Sequence, residues 1–205
     1  MKFVCNFSYK KRTTLFNNLT IDFPENKITV LCGHNGAGKT TLLKCMSGIF
    51  VSKNIVEDSW YVGSNGSLIV HLSLLDNLSM LEYNKEKAEY YFSLFDLSDY
   101  IKRPVYKLST GQAILCSIVV ALLSNRNVLF LDEVLGPLDP VNTEKVISEL
   151  KNSGKTIFIT SHDLSDIVEM ADKIIIMKKG QIAYENDNSN LSINSLKEIY
   201  KGVAC

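Results

Sequence analysis

Gly33-His34-Asn35-Gly36-Ala37-Gly38-Lys39-Thr40 stands between a wholly apolar run, Ile28 to Cys32, and a segment from Lys39 to Gly48 whose Leu42, Leu43 and Met46 recur at helical spacing. A strand, loop and helix in immediate succession is the unit of an α/β fold, with ligands expected where the strand ends. Glycines let the loop curl so that consecutive backbone N–H groups point inward. The start of the helix adds its dipole, and together they make a seat for anionic oxygens. The spacing is the G-x-x-x-x-G-K-[ST] of a phosphate loop. In it Gly33, His34, Asn35, Gly36, Ala37, Gly38, Lys39, Thr40 and Thr41 are the candidate nucleotide-binding residues. Lys39 would reach the β and γ phosphates, and the Thr40 hydroxyl would give Mg2+ one of the oxygen ligands it demands.

The rest of the chain repeats the same alternation. Lys2 to Phe7 and Leu19 to Phe23 read as half-buried strands joined by a polar turn at Lys10 to Thr14, and a weaker strand is expected at Trp60 to Gly63. Leu72 to Tyr106 reads as short, polar-faced helices. Then follow helix Gly111 to Leu123, strand Val128 to Leu131, helix Thr143 to Asn152, strand Thr156 to Thr160, helix Leu164 to Met170 and strand Ile174 to Met177. Gln181 to Tyr184 is expected as an edge strand, Glu185 to Asn190 as a polar stretch, and a short helix near Leu196 to Tyr200. The fold class is therefore α/β, a parallel or mixed sheet flanked by helices, with ligands expected at the C-terminal ends of the strands. At 205 residues the chain is expected to be one domain.

Composition excludes several classes. With 22 basic and 22 acidic side chains there is no excess of positive charge to displace counterions, so nucleic acid is not an expected partner. The five cysteines, Cys5, Cys32, Cys45, Cys116 and Cys205, are scattered and form no Cys-x-x-Cys pair. They fit small hydrophobes of a reducing cytosol better than a disulfide framework or a zinc site, and no metal other than magnesium is expected. The N-terminus has no signal-peptide pattern, and the best apolar run, Ala113 to Leu123, is too short to span a bilayer.

A second acidic element narrows the chemistry. Val128-Leu129-Phe130-Leu131-Asp132-Glu133 is an apolar strand ending in two carboxylates. Asp132 is a candidate magnesium ligand, directly or through water, and Glu133 a candidate base for an attacking water. No Asn-Lys-x-Asp guanine reader occurs.

From about Phe3 to Tyr184 the order of these motifs resembles that of the ATP-binding-cassette (ABC) ATPases. Leu108-Ser109-Thr110-Gly111-Gln112 is similar to the family's LSGGQ signature with one substitution, and Gly136-Pro137-Leu138-Asp139 to its D-loop. The resemblance implies a P-loop NTPase core with an N-terminal antiparallel β subdomain, an inserted helical subdomain at about 66–124 and a short C-terminal tail at about 185–205. It implies that Ser109, Gly111 and Gln112 face ATP held by a second ABC ATPase subunit, of the same or a related chain, and that Asp139 communicates across that dimer. Ser109 and Asp139 equally suit helix N-caps. His162, after the strand Thr156 to Thr160, matches the family's switch histidine, which contacts the γ-phosphate and helps orient the water. Tyr9 falls where the family stacks an aromatic on adenine, and it also suits a core-packing strand aromatic.

Three departures accompany these matches. The family's Gln after the strand near Trp60, a ligand of magnesium or of the attacking water, is replaced by Ser64 or Asn65, each shorter but still bearing an oxygen. Val134 stands where a proline is usual, and Ala113-Ile114-Leu115 carries no arginine after the signature. By resemblance, the expected function is that of a magnesium-dependent ATPase, with Glu133 and His162 catalytic. It would power a membrane-spanning permease subunit from the cytoplasmic face of the cell membrane, in a compact exporter-type system. A cleft lined by Leu68, Ile69, Leu72, Leu74, Leu75 and Leu78 would receive the permease, unless those residues form the helical subdomain's own core. Two other readings remain open: a soluble ABC ATPase in an assembly process such as iron–sulfur cluster biogenesis, and a slowly hydrolysing, nucleotide-gated dimerisation clamp.

Overall fold

Three strands are buried from end to end: β3 (Ile28–Cys32), β5 (Val128–Asp132) and β6 (Thr156–Thr160). Strands covered on both faces belong in the middle of a parallel sheet. The computed structural model describes residues 1–9, 14–188 and 191–204 and places these three in a six-stranded sheet. The other strands are β1 (Lys2–Ser8), β2 (Thr14–Asp22), β4 (Ser59–Val62), β7 (Lys173–Lys178) and β8 (Gln181–Asp187). The helices are α1 (Lys39–Met46), α2 (Leu74–Ser79), α3 (Lys85–Leu94), α4 (Thr110–Leu123), α5 (Pro140–Asn152), α6 (Leu164–Met170) and α7 (Ile193–Ala204), with a 3-10 turn at Val105–Lys107.

The order across the sheet is β4-β5-β6-β3-β7-β8, parallel throughout except for β8, which runs antiparallel to β7. The sheet is thus mixed, and β1 and β2 form a separate antiparallel pair. Period-two alternation sends successive side chains to opposite faces, and the core divides accordingly. Leu129, Leu131, Ile157, Ile159, Val30 and Cys32 join the larger core with α2 to α7. Phe130, Phe158, Leu31 and Ile175 join a second core with α1 and the β1–β2 pair. Within it Phe158 meets Phe23 edge-on at 5.3 Å. Burying one such side chain is worth roughly 1.5–3 kcal/mol.

Several expectations shift in detail. β2 begins at Thr14 rather than Leu19, because β1 goes on pairing with it through an irregular register to Ser8↔Thr14. α5 begins at Pro140 rather than Thr143, since Asp139 caps it and proline suits a first helical position. Leu74 and Leu78 are fully buried and therefore line no open cleft, whereas Ile69 and Val70 are exposed. Cys5, Cys32, Cys45 and Cys116 are buried and free, as expected of small core hydrophobes. The expected turn at Lys10 to Thr14 lies, apart from Thr14, outside the described residues, as do Ser189 and Asn190 of the polar stretch and Cys205. Among the described residues no helix is long and apolar enough to cross a membrane.

Candidate active site

The loop after β3 is shaped by its glycines. Gly33 has φ 141°, and a Cβ there would lie 2.3 Å from the Met177 carbonyl oxygen of β7. Gly38, at φ 108°, would press a Cβ within 3.1 Å of the Phe16 ring. Between them the Ala37 N–H donates to the His34 carbonyl at 3.1 Å, and the Gly180 N–H donates to the Ala37 carbonyl at 2.9 Å. His34 also sets its ring edge-on to Tyr200 of α7 at 5.6 Å. Asn35 and Gly36 are exposed at the turn of the loop.

Lys39 opens α1 and is buried. Its ammonium donates to the carbonyls of Gly33 at 2.8 Å and His34 at 3.4 Å. Burial lowers its pKa, opposed by the negative charges of Glu133 and Asp132. A cation that donates to loop carbonyls can exchange those neutral acceptors for phosphate oxygens, which bind it more strongly. Tyr9, at the exposed end of β1, hydrogen-bonds through its hydroxyl with the buried Thr41 of α1, and its ring packs edge-on against Phe7 at 5.0 Å. It is exposed rather than a core aromatic.

Asp132 is the buried hub of the site. Its Oδ1 accepts from the Thr40 hydroxyl at 3.1 Å and the Thr160 hydroxyl at 2.9 Å, and its Oδ2 from the Tyr61 hydroxyl at 3.0 Å. Burial, followed by the Asp132 charge, pushes the Tyr61 phenol well above its ordinary pKa, so it remains a donor. Two residues missed in the sequence thus surround this carboxylate. Thr160 sits opposite Asp132 in the β5–β6 register, and Tyr61 sits opposite Phe130 on β4. A hydroxyl two residues before His162, and the strand-end position of Tyr61, are the only local signals for them.

Glu133 follows at φ 56°, and its N–H donates to the Thr160 hydroxyl oxygen at 2.8 Å. Its carboxylate lies 2.7 Å from His162 Nε2. Both side chains remain open to solvent and face a cavity of about 970 Å3 that Ser64 also lines. Asn65 is exposed on the adjoining turn and is not part of that wall.

The Ser109 segment and Asp139 lie elsewhere. Ser109 caps α4 in a capping box, accepting from the Gln112 N–H at 3.3 Å while Gln112 Oε1 accepts from the Ser109 N–H at 3.0 Å. A Cβ on Gly111 would stand 3.0 Å from the Pro137 carbonyl. Asp139 caps α5, and the Asn142 backbone and side chain hold its carboxyl below the usual range. Ser109, Gly111, Gln112 and Asp139 border a cavity of about 620 Å3 whose described walls include none of the phosphate-loop residues.

The oxygen set suits magnesium. Thr40 and Asp132 present hard oxygens in contact with each other, and among the described residues Asp132 makes no ion pair that would compete for the cation.

Comparison with known proteins identifies the family. The ABC transporter family profile matches residues 16–136, more than half of the chain. The lantibiotic transport ATP-binding protein SrtF of Streptococcus pyogenes is 32% identical over 88% of this chain and 87% of its own length. The carnitine transport ATP-binding protein OpuCA of Listeria monocytogenes is 29% identical over 85% of this chain, which spans about half (52%) of that protein. Among solved structures, cbiO1 from Clostridium perfringens, described as part of the ABC transporter complex cbiONQ, superposes with a TM-score of 0.76 at 20% identity, covering 98% of this chain and 93% of its own. That last likeness is one of fold. Profile, relatives and fold agree: the chain belongs to the ABC transporter family of ATP-binding proteins.

Proposed function

We propose that the chain is the magnesium-dependent ATPase subunit of a membrane transporter, one ABC ATPase domain whose helical part, about 66–124, carries the signature. The observation that supports this most is the convergence of Lys39, Thr40 and Asp132 with the Glu133–His162 pair at one end of the sheet. Lys39 and the loop amides hold the triphosphate, and Tyr9 is available at the exposed edge for the adenine. Thr40 and Asp132 would hold Mg2+, and of Ser64 and Asn65 it is Ser64 that lines the cavity faced by Glu133 and His162. When bound, that ion neutralises phosphate charge and polarises the terminal phosphoryl group. Glu133 accepts a proton from the attacking water at its carboxylate, and His162, 2.7 Å away, holds that carboxylate in place and faces the γ-phosphate.

Because Ser109, Gly111 and Gln112 border a cavity with no phosphate-loop residue in its described walls, and so lie apart from that loop, the reading includes a second ABC ATPase subunit whose signature completes each site. The remaining partner is a membrane-spanning permease, which would hold the chain at the cytoplasmic face. The chain spans 87% of the lantibiotic transport relative against 52% of the carnitine one, which supports a compact system, and the exporter-type direction rests on the sequence resemblance alone. Lys39→Ala is expected to abolish tight ATP binding in a titration. Glu133→Gln is expected to keep ATP, accumulate a closed dimer on size exclusion and lose about 10²–10⁴-fold in turnover. Normal turnover of Glu133→Gln would remove Glu133 as the base, and unchanged affinity of Lys39→Ala would overturn the site.

A further inference from the structure

We infer that Tyr61 is the positioning residue that fixes the Asp132 carboxylate, and that Gly63 keeps open the space in which its ring folds toward that carboxylate. The inference rests on Asp132 being a magnesium ligand. A carboxylate turns easily about its last torsion, which has a broad energy profile. Pinning both oxygens sets its plane. Oδ1 is shared by Thr40 and Thr160, and among the described residues Oδ2 accepts from Tyr61, at 3.0 Å. With Oδ2 held, Oδ1 stays beside the Thr40 hydroxyl, and Asp132 and Thr40 are the residues that would hold the cation.

The backbone explains why residue 61 can do this. Tyr61 pairs with Phe130, and Asp132 lies two residues further along β5 on the same face, so the phenol has to lean toward the strand ends to reach it. That lean carries it over Gly63. A Cβ at 63 would lie 3.4 Å from the Tyr61 hydroxyl, an ordinary contact, and 3.2 Å from its Cε1, close enough that the ring would have to give by a few tenths of an ångström. Gly63 has no positive φ to account for its presence, so side-chain clearance is its evident use. β4 therefore contributes to the metal end of the site from inside, through Tyr61, in a chain whose residue 64 is a short serine. If Tyr61 only filled the second core, phenylalanine would serve equally.

The test compares the intact chain with Tyr61→Phe and Gly63→Ala. Two readouts are used: the Mg2+ concentration that half-saturates turnover at saturating ATP, and the ratio of dissociation constants for a fluorescent ATP analogue in EDTA and in Mg2+. Partners behind a metal ligand typically change metal affinity about tenfold or more when removed, and that is the expected rise in half-saturating Mg2+ for Tyr61→Phe. The affinity ratio should shrink by a similar factor, with binding in EDTA unchanged. Gly63→Ala should move both in the same direction by less, and it carries the comparison should Tyr61→Phe not fold. Unaltered Mg2+ half-saturation with an unaltered ratio overturns the inference, as does lower turnover at the wild-type Mg2+ requirement. Failure of the parent chain to bind the analogue in either buffer would instead overturn the site itself.

Discussion

At Glu133 the main chain turns left-handed, φ 56°, a conformation that costs a non-glycine residue of order 1–3 kcal/mol. Thr160 meets that cost from one side by accepting the Glu133 N–H, and the same hydroxyl donates to Asp132. One threonine thereby locks together the two acidic residues that the proposed chemistry separates into metal holder and base. Ser64 is the counter-case, a side chain that shares the cavity with Glu133 yet falls short of the usual glutamine. Ser64→Gln is expected to raise steady-state turnover several-fold, as preorganised polar contacts to a reacting group do. An equal rate in a phosphate-release assay would mean that the departure is compensated. That Lys39, Asp132, Glu133 and His162 are candidates for one site was legible because each sits in a short contiguous motif, and the structure brings them near one another. Tyr61 and Thr160 were not, since their roles depend on which strand lies beside β5 and in what register, and no local pattern records that.

Between residue and molecule, helix starts carry much of the arrangement. α4 begins at Thr110 behind the Ser109–Gln112 box, and α5 at Pro140 behind Asp139. Ser109→Ala should lower stability by about 1 kcal/mol, the usual cost of a lost cap. α4 should nevertheless persist, because its residues from Ile114 to Leu123 are buried in the larger core. If the serine also faces nucleotide on a second subunit, turnover should drop well beyond what the small stability loss explains, with single-chain ATP affinity unchanged in a titration. A turnover loss no larger than the fraction unfolded would leave Ser109 as a cap alone. Strand and helix types were readable from apolar spacing, but the burial of Leu74 and Leu78 was not. A leucine facing a partner groove and one facing its own core give the same pattern, and only the packing of α2 against α4 separates them.

For the molecule as a whole, the separation of Ser109, Gly111 and Gln112 from the cavity that Glu133 and His162 face sets the expected kinetics. If a second subunit supplies the signature, turnover per chain should climb with protein concentration and level off once dimers dominate, measured across a dilution series with saturating ATP. A rate per chain independent of concentration throughout would indicate a site complete in one copy. The same layout ties early sequence to late sequence. Gly33 leaves β3 with the Met177 carbonyl packed against it, and β3 itself is zipped between β6 and β7. A nascent chain emerging from the ribosome therefore carries its glycine loop for some time without a place to put it. The strand end that carries the loop gains its β7 neighbour only after residue 177 has been synthesised and docked, so ATP should bind chains stalled before that point more weakly than the whole chain, however complete their N-terminal motif.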